Sequence, residues 1–158
     1  MLRARAHVLA AIQGLSAAVA EARAREGGWS VREMVLHLHA WDLEIERVLE
    51  PAFRGTVPPW MRYRAGQMSR WNEELLAPLR SLSWDEACGR LRAGRARLLE
   101  AIESLPDEPA HLWTTRHVLG RVVRILPHHD LHHAEAIKSL RVGTGTPAPE
   151  PSPQPRST

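Results

Sequence analysis

Apolar residues recur at steps of three and four along most of this chain, and no stretch shows the alternating β-branched pattern of a sheet, so the pattern predicts an all-α fold. A first helix is expected over residues 2–25, with Leu2, Leu9, Ile12, Ser16 and Val19 near one face and Gly27-Gly28 as its stop. A second begins at Ser30, which forms an S-x-x-E capping box with Glu33, and runs to Glu50 before Pro51. Its inward stripe reads Val31, Met34, Leu38, Trp41, Ile45 and Val48. Residues 51–59 read as a loop and residues 60–80 as a short helical connection interrupted by Gly66 and Pro78. A second capping box, Ser83 with Glu86, opens a helix over residues 83–104, with Trp84, Ala87, Leu91, Leu98 and Leu105 facing inward. Pro106 and Pro109 mark a loop, and the last helix spans residues 118–141, with Pro127 kinking or restarting it.

Four principal helices long enough to share one core predict a four-helix bundle with a short extra helical connection, occupying residues 1–142. Residues 143–158 carry Pro147, Pro149, Pro151, Pro153 and Pro155 and little to bury, so a flexible tail is expected there.

Composition narrows the function classes. A chain of 158 residues, 44% hydrophobic and 25% charged, is ordinary for one globular domain and leaves little room for a second. No apolar run approaches the roughly 20 residues that cross a bilayer, and the start of the chain lacks a secretory h-region, so no membrane partner is expected. The single cysteine, Cys88, excludes an internal disulfide framework and a cysteine-based zinc cluster, which fits a reducing cytoplasm; on its helix it reads as an inert packing residue. The net charge of +3 raises the question of nucleic acid. The arginines, however, are scattered among acids, and Phe53 and Tyr63 stand alone as residues of their kinds, so no cationic groove with stacking rings is expected.

Nine histidines in so short a chain are the unusual feature. On the last helix Leu119, Val122, Leu126, His129, His133, Ile137 and Leu140 follow at steps of three and four, so His129 and His133 take places in the inward row. His128 and His132 fall on the flank, where solvation explains them, and His7, His111 and His117 have no comparable context. His37 lies on the second helix at the edge of the buried arc, with His39 at the opposite edge. Residues four apart on a helix have Cβ atoms about 5 to 6 Å apart, so two imidazoles can converge on one ion. With His37 from a neighbouring helix, His129 and His133 could close three corners of a tetrahedron and leave a position for water or substrate. One histidine on an apolar face is more often a hydrogen-bonded core residue. Three buried imidazoles without partners are costly, and a shared cation satisfies all three.

The segment Trp29-Ser30, His37-Leu38 and Trp41 resembles the W-S-x(6)-H-L-x-x-W motif of the DinB/YfiT-like superfamily, and His129-Asp130 with His133 resembles its H-[DE]-x-x-H signature. The resemblance covers about residues 6–142, including Asn72 and the Ser83 helix start, and extends to the DfsB-type branch. It implies a four-helix bundle, often a homodimer, in which His37, His129 and His133 hold a divalent metal, zinc or nickel. Better-understood relatives include transferases and isomerases that use low-molecular-weight thiols, and a cyclopropane hydrolase that confers toxin resistance; despite the name, the family is not generally DNA-binding.

The chemistry implied is activation of a thiol or water for attack on a small electrophilic substrate, in detoxification or stress response. Asp130 is then expected to orient a ligand's other ring nitrogen or to accept a proton, a salt bridge to a neighbouring arginine being the alternative. A thiol cofactor carrying carboxylates would need arginines at the pocket rim. Trp29, Trp41, Trp84 and Trp113 read as core or pocket walls, and Glu44 and Glu46 as the solvated side of the second helix. The competing class is a non-catalytic metal-binding or stress-associated bundle.

Overall fold

The computed structural model describes residues 2–22, 28–107 and 109–143. Among these the chain forms helices α1 (Leu2–Ile12), α2 (Ala17–Glu21), α3 (Val31–Phe53), α4 (Ala65–Leu76), α5 (Trp84–Glu103) and α6 (Val118–Gly143), with short 3-10 turns at Pro59–Arg62, Ala77–Leu79 and Ala110–Trp113. No described helix is long and apolar enough to cross a membrane.

The two capping boxes form as the sequence predicts. Ser30 accepts from the Glu33 backbone N–H while the Glu33 carboxylate accepts from that of Ser30, and Ser83 and Glu86 repeat the exchange. Three boundaries differ from expectation. The predicted first helix divides at Gly14, whose φ of +73° turns the chain, and restarts behind Ser16 as N-cap; its predicted end near residue 25 lies outside the described residues. Helix α3 passes through Pro51 and stops instead at Gly55, whose φ is +87°. There the Gly55 and Thr56 N–H groups bond back to the carbonyls of Ala52 and Pro51, so a glycine-based C-terminal motif ends the helix. Helix α6 runs unbroken through Pro127. The expected tail, residues 144–158, lies outside the described residues.

Helix α3 is the central element, packed along α5 and α6, with α1 against α6 and α4 against α3. Arg141 of α6 donates to the Ala11 and Gln13 carbonyls at 2.8 and 2.9 Å, satisfying orphan groups at the end of α1.

The core divides into two apolar clusters. One contains Val8, Leu36, Leu38, Leu91, Ala134 and Ile137; the other contains Trp41, Ile45, Leu98, Leu119 and Leu126. Between them lies a polar layer to which four helices each contribute a charged residue: Arg5 from α1, Asp42 from α3, Arg95 from α5 and Asp130 from α6, all buried. Arg95 donates to Asp42 and to Asp130, while Arg5 pairs with both carboxylates at 3.1 and 2.9 Å. Two cations and two anions balance, which is how charges remain in such a place.

Candidate metal centre

His37 sits on α3 two turns beyond the Ser30 cap, and His129 and His133 face it from adjacent turns of α6. The innermost row of α6 passes from Leu126 through Asp130 and Ala134 to Ile137. His129 and His133 therefore stand beside that row, on the side facing α3, partly buried instead of at its centre. His37 is buried.

The three Nε2 atoms converge. His37 Nε2 is 2.9 Å from His129 Nε2, and His133 Nε2 is 3.1 Å from the same atom. A ring nitrogen carries either one hydrogen or one lone pair in its plane, so His129 cannot satisfy both neighbours at once. A cation accepts a lone pair from each. With Zn–N bonds of about 2.0 to 2.1 Å, tetrahedral geometry separates ligand nitrogens by about 3.3 Å, close to the spacing found here. One ligand atom from each residue lies within 4.8 Å of the others, so the donor set fits a divalent metal.

Burial keeps the rings ready for that task. His37 is lowered to about 3, first by burial and then by His133. His129 falls to about 2 through burial, with His37, His133 and Arg5 adding to the effect, and His133 to about 4 through burial and His132. At neutral pH all three present lone pairs.

Their orientation comes from packing. The outer nitrogens, Nδ1 of His37 and of His133, have no hydrogen-bond partner among the described residues. The Trp29 ring instead lies 4.6 Å from that of His37, its Nε1 tied to Glu73, and Trp41 stands edge-on to His129 at 5.7 Å. Asp130, expected to orient such a nitrogen or to take a proton, has both oxygens on the guanidinium groups of Arg5 and Arg95 and is 0% exposed. The salt-bridge alternative describes this placement.

The other polar residues singled out from the sequence lie outside the three-nitrogen group, though the exposed His132 ring stands 5.2 Å from that of His133. His128 and His132 are exposed. His39 is buried away from the cluster against Gly94 of α5, lowered to about 4 by burial and by Arg90 and Arg97. Glu44, expected in solvent, is buried, because its carboxylate accepts from Trp60 Nε1 at 2.7 Å and also pairs with Arg47.

A cleft of about 420 Å³ opens beside the histidines, lined by His37 and His129 and by Trp41, Trp60, Tyr63 and Asn72 among others. Sequence reasoning did not single out Trp60, Met61, Tyr63, Met68 or Asn72 as a wall; only their position on the connection after α3 could have suggested it. Arg5, Asp42 and Arg95 were also missed, although Arg95 stands midway between the inward Leu91 and Leu98.

The model of the DinB superfamily matches residues 1–137. The chain belongs to the DinB superfamily. Neither a curated protein nor a solved structure matches it. The all-α bundle and the three-histidine group are those expected of a DinB-like chain, and together they make it a helical protein whose histidines can hold a metal ion.

Proposed function

We propose that this DinB-superfamily chain is a divalent-metal-dependent enzyme that activates a thiol or water for transfer to, or hydrolysis of, a small electrophilic substrate, with detoxification or stress response as its setting. The observation that carries this reading is the convergence of His37, His129 and His133 Nε2, with His37 and His129 lining an open cleft. A divalent cation held there, zinc or nickel on the family resemblance, supplies Lewis-acid activation.

The chain's own residues provide the rest. Burial keeps the three imidazoles neutral, and Trp41 and Trp60 form part of the cleft wall. Asp130 fits a positioning role, since its arginine contacts fix the turn of α6 that carries His129. The partner is a small-molecule substrate, with no nucleic acid or membrane and with a low-molecular-weight thiol as candidate co-substrate. Homodimerisation, implied by the resemblance, is read by light scattering.

The test is metal analysis of protein purified without an affinity tag, beside His37→Ala and His129→Ala. Stoichiometric metal in the parent and its loss in both variants is expected; full metal in both variants overturns the ligand set. The loaded protein is then screened with mycothiol, bacillithiol and glutathione against generic electrophiles. Thiol consumption or hydrolysis that disappears in the variants supports catalysis, and metal retention without any turnover favours a structural role.

A further inference from the structure

Trp41, Trp60, Met61, Tyr63, Met68 and Ile125 wall the cleft, and none of its lining residues is Lys, Arg, Asp or Glu. Both indole N–H groups are already committed within the protein, Trp60 to Glu44 at 2.7 Å and Trp41 to Asn72 at 3.1 Å. The two rings meet edge to face with centroids 5.1 Å apart and are largely buried, and what they present at the cleft wall is carbon. With no ion on the histidines, an anion placed there finds no cationic side chain and its desolvation goes uncompensated, and with one bound a cation is repelled from His37 and His129.

Asn72 adds a fixed donor. An indole N–H only donates, so the Asn72 atom facing Trp41 is the amide oxygen and the flipped amide is excluded. This leaves Nδ2 with no hydrogen-bond partner among the described residues, on a half-buried residue that lines the cleft.

The geometry points to an uncharged aromatic carbonyl compound as the ligand class of this cleft, with its ring against the Trp41–Trp60 corner and its carbonyl oxygen accepting from Asn72 Nδ2. The inference rests on the reading of the three-histidine centre as a reaction site, since His37 and His129 line the same cleft.

Calorimetric titration of the full chain with acetylnaphthalene and with naphthoate tests it, first after chelation, so that a carboxylate gains nothing from the ion. The neutral ketone is expected to bind about tenfold tighter than the carboxylate. Asn72→Leu should weaken the ketone roughly five- to tenfold, and so should Asn72→Asp, which keeps an acceptor for Trp41 but removes the donor. Thermal melts establish that both variants are folded. Equal or tighter binding of naphthoate, unchanged ketone affinity in a folded variant, or no saturable ketone binding overturns the proposal. Repeating the titration with zinc separates the two readings: ketone selectivity in a protein that binds no zinc sinks the metal enzyme and leaves the cleft assignment, while zinc binding without selectivity does the reverse.

Discussion

Arg95 grips Asp130 through two parallel hydrogen bonds, Nη1 to Oδ2 at 2.8 Å and Nη2 to Oδ1 at 3.2 Å, with neither side chain more than 4% exposed. Removing one partner strands the other charges in the core. Asp130→Ala is expected to destabilise the protein by about 3 to 5 kcal/mol, measured by urea unfolding. Replacing Arg95 and Asp130 together with apolar residues should be less damaging than the two single losses summed. Strict additivity would show that the pair is not coupled.

Gly94→Ala offers a test in which two effects oppose each other. Helix propensity alone favours alanine by about 1 kcal/mol. A Cβ at this position, however, meets His39 Nδ1 at 2.5 Å. Overpacking of a filled core costs about 1 to 3 kcal/mol, so net destabilisation is expected, relieved when His39→Ala is added. A more stable Gly94→Ala protein would contradict this packing.

Stability should fall on the acid side of neutrality. His37, His39, His129 and His133 are lowered from 6.5 to about 3, 4, 2 and 4, with burial the leading cause in each. Below 6.5 the unfolded chain takes up protons on these rings while the folded chain does not. Their contribution is therefore full above 6.5 and declines as the pH drops; for His39 and His133 the loss is complete once the folded rings titrate near 4. Melting curves of chelated protein between about pH 7 and about pH 4 should show a falling midpoint, and a flat profile would refute it.

Gly55→Ala should cost about 1 kcal/mol, because alanine must adopt the positive φ of +87° that ends α3. Gly14→Ala, at φ +73°, should behave alike, and denaturant midpoints report both.

The fold was legible wherever local chemistry decides structure. Ser30 with Glu33 and Ser83 with Glu86 announce two helix starts because each box satisfies orphan N–H groups without tertiary help. Gly55 was equally available as a stop, but Pro51 drew the boundary first; a proline in the last turn forfeits little where the helix is already ending. The convergence of His37 on His129 and His133 could be anticipated from period and phase, since all three fall near the apolar arc of their helices. The partners of Asp130 could not, because residues 35 and 125 positions away in sequence meet it only after the bundle closes. For the same reason Arg5 and Arg95 look like two more scattered cations until their burial is known.

The three converging histidines and the balanced charges all sit on α1, α3, α5 and α6, whereas much of the cleft wall, from Trp60 to Asn72, comes from the connection between α3 and α5. Ligand choice and ion retention are thereby written on different stretches of chain. Laboratory evolution confined to that connection could redirect what enters while the scaffold and its imidazoles stay as they are.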